Sequence, residues 1–140
     1  MKRQNVSDPV AFTVRLEDSS GHYINVGSGQ RMPFNSAITN IGNHYNFDSD
    51  SFICPYNGLY SFFVSVNEHY DDHLRAAIYR ESTKLMQVDF DNEHGRDSSS
   101  AHAFTSCSAG DEVYVYVSTG GEFDANFSPT HFSGFLLRRD

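Results

Sequence analysis

Alternation of large apolar residues with small or polar ones, renewed at intervals along the whole chain, most narrows what this sequence can fold into. In Val10-Ala11-Phe12-Thr13-Val14-Arg15-Leu16 every even position is large and apolar. Side chains of an extended strand point alternately to its two faces, so this pattern predicts a strand with one buried side. The pattern returns over 58–66, where Tyr60, Phe62, Val64 and Val66 oppose Ser61, Phe63 and Ser65. It returns again over 111–118, where Val113, Val115 and Val117 oppose Tyr114 and Tyr116. A last run covers 131–137, and shorter ones cover 44–47, 74–79, 84–90 and 101–107. Turn-forming residues separate them: Gly21, Gly27-Ser28-Gly29, Asn57-Gly58, Gly95, Gly110-Asp111 and Gly120-Gly121. Segment 67–73 is too short and too charged for an amphipathic helix. Eight or more short strands at this spacing predict an all-β two-sheet sandwich of the jelly-roll kind.

Composition limits what such a sandwich would do. The 140 residues suffice for one self-supporting core. With 12 Phe, 8 Tyr and no Trp, aromatic bulk favours strands over helices. Ten Lys plus Arg against 18 Asp plus Glu give a net charge of −8, with no basic stripe, which argues against nucleic acid as a partner. No apolar run approaches the roughly 20 residues that would cross a bilayer as a helix, so no membrane insertion is expected. The opening Met1-Lys2-Arg3-Gln4-Asn5 lacks the apolar stretch of a signal peptide, so either the protein is cytosolic or the sequence begins after one. There is no Gly-x-Ser-x-Gly elbow, no glycine-rich phosphate loop and no cysteine next to a base, so a non-catalytic role is expected.

Two strands are apolar on both sides. Phe63 opposes the Tyr60 and Phe62 face, and Phe135 and Leu137 oppose Phe132 and Leu136. A small sandwich cannot bury both faces of one sheet by itself, and the simplest cover is another copy of the chain. The alternative is that Phe63, Phe135 and Leu137 are isolated surface or loop-covered residues.

The middle of the chain carries a more specific spacing. Phe34, Asn40, Tyr45, Phe52 and Gly58-Leu59-Tyr60-Ser61-Phe62 match in order the signature of the C1q domain, the globular head of the complement recognition protein. Val10-Ala11-Phe12-Thr13-Val14, Gly110-Asp111-Glu112-Val113-Tyr114-Val115 and Phe132-Ser133-Gly134-Phe135-Leu136-Leu137 resemble other strands of that family. The resemblance runs from Pro9 to Leu137 and divides the chain into an N-terminal extension, 1–8, and a globular domain, 9–140. Val64 stands where the signature has an aromatic, Asn57 where a Pro often precedes the Gly, and Tyr114 where Trp is frequent. The resemblance implies a ten-stranded jelly roll shared with the tumour necrosis factor ligands, assembled as a homotrimer around an apolar axis. It also implies a secreted innate-immune module that binds microbial or cell-surface glycans in the manner of a lectin, with avidity from three copies. A second role implied by the family is a trimeric, hormone-like or synaptic-organiser ligand for a membrane receptor. No collagen stalk precedes the domain in this sequence.

Particular residues follow, some from the same resemblance and others from the sequence directly. Some family members bind calcium in a loop that corresponds to Asp91 and Asn92, with Glu93 as a third oxygen donor; a solvated turn is the alternative. His69 and His73 lie four apart, but in a loop pattern without the metalloprotease Glu. Tyr23, Arg31, Tyr70 and Phe123 lie in or near loops that could touch a ligand. Cys54 and Cys107 flank strands that are antiparallel neighbours in the family fold, so they are either a disulfide or two buried thiols. Asn5-Val6-Ser7 and Asn126-Phe127-Ser128 fit the glycosylation sequon, the second followed by Pro129. A trimer would carry roughly −24, which disfavours anionic lipid by bulk attraction and favours cation-bridged or neutral sugars.

Overall fold

The computed structural model describes residues 8–19, 21–68, 73–90, 98–125 and 129–140. The calcium candidates Asp91, Asn92 and Glu93, the loop residue Tyr70, and Asn5, His69 and Asn126 lie outside them. Thirteen strands occur among the described residues, and no helix. In chain order they are β1 (Ala11–Arg15), β2 (Tyr23–Val26), β3 (Gln30–Arg31), β4 (Ser36–Ile41), β5 (Tyr45–Asn46), β6 (Ser51–Ile53) and β7 (Gly58–Asn67). There follow β8 (Arg75–Arg80), β9 (Thr83–Asp89), β10 (Ser98–Cys107), β11 (Glu112–Thr119), β12 (Gly121–Asp124) and β13 (His131–Arg139).

Eleven of these strands form the two layers of the jelly roll. One sheet has the order β10-β7-β13-β1-β4 and the other β5-β6-β11-β8-β9, with β3 added beside β11. β2 and β12 form a separate two-stranded ribbon. The first and last strands are antiparallel neighbours, Phe12 facing Gly134 and Val14 facing Phe132. The alternation read from sequence is the burial pattern itself: Val10, Phe12, Val14 and Leu16, then Tyr60, Phe62, Val64 and Val66, then Val113, Val115 and Val117 all lie in the core. Over 44–47 the expected strand shrinks to Tyr45–Asn46.

Phe12 sits at the centre of the core. Its ring lies 4.7 Å from Phe52, 5.1 Å from Phe132 and 5.3 Å from Tyr45. Rings at these spacings, offset or edge-on, add to the roughly 1.5–3 kcal/mol that burial of each such side chain contributes. Asn40 ties the β4–β5 connection to this cluster, accepting from the Tyr45 N–H at 3.0 Å and donating to the Tyr45 carbonyl at 3.1 Å. That is why Asn stands at this position of the spacing: its side chain replaces a backbone partner on both sides of Tyr45.

Candidate functional site

The inner side of the β10-β7-β13-β1-β4 sheet is core; its outer side faces away from the other sheet. The register aligns three rows of side chains across all five strands of that outer side. One row runs Phe104, Ser61, Phe135, Ala11, Ile41. The next runs His102, Phe63, Ser133, Thr13, Thr39, and the third Ser100, Ser65, His131, Arg15, Ser36. Arg15 carries the one full charge in these three rows, although the chain as a whole carries −8.

The apolar row is open. Phe104 is 62% exposed, Phe135 46% and Ile41 45%. Leu137, at the bulge in β13, and Ile38, at the bulge in β4, are exposed as well. Phe63 is half-buried against the ring of His131, 5.9 Å away. His102 stands edge-on to Phe104 at 4.5 Å and shares a 2.6 Å hydrogen bond with the Ser61 hydroxyl. β10 and β4 are the edges of this sheet. Soluble proteins usually blunt such edges with charged side chains. Neither Ser98–Cys107 nor Ser36–Ile41 contains a Lys, Arg, Asp or Glu. A face with one apolar row open from edge to edge, nearly uncharged rows beside it and uncharged edge strands is built to be covered.

The residues singled out by sequence distribute unevenly over this geometry. Phe63 and Phe135 lie on the open face, and Leu137 extends it. Phe104, Ile38 and Ile41 complete it and were not among the expected ones; for Phe104 the signal was the alternation of His102 and Phe104 with Ala101, Ala103 and Thr105. Phe123 is a correction: it is fully buried, pinned where β12 pairs with β2, so it cannot stack on a sugar. Tyr23 is half-buried on β2 opposite Asp124. Cys54 and Cys107 are both buried free thiols.

Arg31 serves the fold. It donates to a Glu112 carboxylate oxygen at 2.6 Å and to the Ser49 carbonyl at 3.0 Å, and its guanidinium lies 3.8 Å above the Tyr114 ring. The hydrogen bond from Arg31 holds the Glu112 carboxyl below its ordinary range. Tyr114 in turn stacks on Tyr79 at 5.7 Å, and Tyr116 meets Tyr79 edge-on at 5.6 Å. This tyrosine cluster lies on the outer side of the second sheet, opposite the buried Val113, Val115 and Val117. Among the described residues no group of three His, Cys, Asp or Glu could hold a metal ion, and no helix is long and apolar enough to cross a membrane.

A profile of the C1q domain matches residues 11–137, nearly the whole chain. The chain belongs to the C1q domain family. Complement C1q tumor necrosis factor-related protein 3 of Mus musculus is 30% identical over 130 residues, covering 91% of this chain and 51% of that protein. Caprin-2 of Danio rerio is 26% identical over 139 residues, which are 14% of its length. The chain thus spans about half or less of the length of the curated relatives it matches. In solved structures, the globular domain of zebrafish complement 1qA superposes with a TM-score of 0.77 at 17% identity, covering 94% of this chain and 99% of that one. Eiger TNF from S. frugiperda superposes at 0.76 with 10% identity, covering 95% of both chains. At such identities the likeness is one of fold, and it joins the C1q domain to tumour necrosis factor ligands in a single jelly-roll architecture.

Proposed function

We propose that the chain is the ligand module of a secreted, non-catalytic C1q/TNF-type factor, which assembles as a homotrimer and binds a membrane receptor. The observation that carries this reading is the open apolar row Phe104, Phe135 and Ile41 with its uncharged edges. Three copies closing on one another would cover that face and leave the Tyr79, Tyr114 and Tyr116 side of the other sheet outward. Tyrosine is among the residue types over-represented where protein partners bind. Several relatives that match over most of the chain are named as C1q and tumor necrosis factor-related proteins, which favours a ligand over a lectin.

Glycan recognition has less support, because Phe123 is in the core and Arg31 is committed to Glu112, Ser49 and Tyr114. Calcium at Asp91, Asn92 and Glu93 is part of that weaker reading. Two measurements test the proposal together. Light scattering at micromolar concentration is expected to give about three times the 15.8 kDa of one chain, and a stable monomer would overturn the assembly. Cell-surface crosslinking with the purified protein is expected to capture one receptor without selective signals on a glycan array. Array binding lost with chelator or with Asp91→Ala would instead establish the lectin reading.

A further inference from the structure

Cys54 follows β6, and Cys107 ends β10 opposite Gly58, the first residue of β7. The backbone between them is tightly held. The Cys54 N–H donates to the Asp111 carbonyl at 2.9 Å, and the Cys54 carbonyl accepts from the Gly110 N–H at 2.8 Å. The Ala109 N–H donates to Asn57 Oδ1 at 2.8 Å. This lattice sets the two buried thiols beside each other. Cys54 is 1% exposed and Cys107 6%. Cys107 reaches the wall of a small surface hollow that it shares with Asn57, Arg80, Ser106 and Asp111. Arg80 is fixed beside it, donating to Thr105 Oγ1 at 2.6 Å and to the Ser106 carbonyl at 2.8 Å.

We propose that Cys54 and Cys107 are a cystine-forming site, closed by exchange with a small disulfide such as oxidised glutathione that enters at the Cys107 hollow. The adjoining Cys54 thiol and, after it, the charge of Arg80 hold the Cys107 thiol below its ordinary range, whereas Cys54, which faces Cys107 and is the more buried, is held protonated. The Cys107 thiolate attacks one sulfur of the small disulfide, whose S–S bond breaks and releases one thiolate. That thiolate, or water, takes the Cys54 proton. Cys54 then attacks the Cys107 sulfur and expels the second small molecule as its thiolate, which takes back from solvent the proton that Cys107 had released. Two protein thiols are oxidised by two electrons, and one disulfide is reduced to two thiols.

The bond would close a loop of about 50 residues containing β7 to β10, which restricts the unfolded chain far more than a short loop would. It would also fasten the end of β10, the edge strand that carries Phe104.

The test uses the full chain, reduced, desalted and equilibrated with oxidised glutathione. Thiols are counted with a maleimide in denaturant, so the outcome does not depend on oligomeric state or on the function proposed above. Both thiols are expected to disappear together, the intact mass to fall by two hydrogens, and a non-reducing peptide map to show one Cys54–Cys107 cross-link. The thermal midpoint is expected to rise by several degrees and to return when a dithiol reductant is added. Persistent free thiols, a stable glutathione adduct on Cys107 with Cys54 free, or disulfide-linked dimers would each overturn the proposal. In Cys107→Ser and Cys54→Ser the midpoint should no longer respond to oxidant. Should either variant fail to fold, the cross-link map of the unaltered chain decides.

Discussion

Position 134 has room for a hydrogen and nothing larger. A Cβ there would lie 2.6 Å from Phe62 Cδ1 and 2.8 Å from Phe12 Cε1, both rings at the centre of the core. Neither ring can turn away, because Phe12 also touches Phe52, Phe132 and Tyr45. Gly134→Ala is expected to destabilise the fold by about 1–3 kcal/mol, as overpacking of a close-packed interior does, read as a lower urea midpoint with unchanged slope. Asn40→Ala should cost a similar amount, about 1–3 kcal/mol, because it leaves two polar groups of the Tyr45 backbone without the partner they now have. An Asn40→Asp variant keeps the acceptor for the Tyr45 N–H but sets a carboxylate oxygen against the Tyr45 carbonyl, so it should be no better than Ala. Recovery of full stability by Asp would show that a single hydrogen bond carries the effect. Gly134 and Asn40 were visible in the sequence as members of an ordered spacing. Their physical reasons were not, since those lie in partners from other strands.

Among the elements, β3 is the least self-sufficient. It has two residues, Gln30 and Arg31, paired to Val117 and Tyr116, and Arg31 anchors it to Glu112 and Ser49. The Arg31–Glu112 bond lowers the Glu112 pKa in the folded chain, so its contribution is complete above the unfolded value of 4.5 and is lost as pH falls through the lower folded value. Both side chains are about a third exposed, at 34% and 38%, so screening by water limits the contribution to under about 1 kcal/mol. Asp50, whose carboxyl is pushed up by burial, works in the opposite sense on acidification, which is why the comparison must be between variants. The stability gap between the unaltered chain and Glu112→Gln is expected to be largest near neutrality and to close at acid pH. The absence of a gap at neutrality would mean that Arg31 bonds equally well to the amide. Strand legibility follows the same physical line. β1, β7, β11 and β13 lie between two covered neighbours or under the second layer, so their inward residues had to be large and apolar, and alternation marked them. β4 is an edge strand with outward Ile38 and Ile41, and β3 and β6 are too short for a period to show. β12 begins within Gly120-Gly121 and reads as a loop, yet pairing with β2 buries Phe123. The closeness of Cys54 and Cys107 depends on strands far apart in sequence, so the sequence left open whether they bond.

At the scale of the whole molecule, two forces oppose each other in the proposed assembly. Each chain carries −8, and three brought together repel through a combined charge of roughly −24. The face that would draw them together contributes apolar area and, in its three aligned rows, the single charge of Arg15. The two forces respond differently to salt. Raising ionic strength from about 0.01 M to about 1 M shortens the screening length from about 30 Å to about 3 Å, which removes long-range repulsion and leaves apolar burial in place. Sedimentation equilibrium is therefore expected to show tighter association in high salt. Weaker association would mean that ion pairs hold the assembly and that the apolar row is not its basis. Phe104→Asp separates assembly from folding, because Phe104 is 62% exposed in the single chain and its loss removes little from the core. In a trimer the new carboxylate would be trapped near an apolar neighbour and two like charges, a burial that costs several kcal/mol. The variant is expected to sediment as a monomer at every salt concentration while its unfolding midpoint stays within a few degrees of the unaltered chain measured at concentrations where that chain is also monomeric. A Phe104→Asp protein that still forms trimers would place the contact on another face of the sandwich.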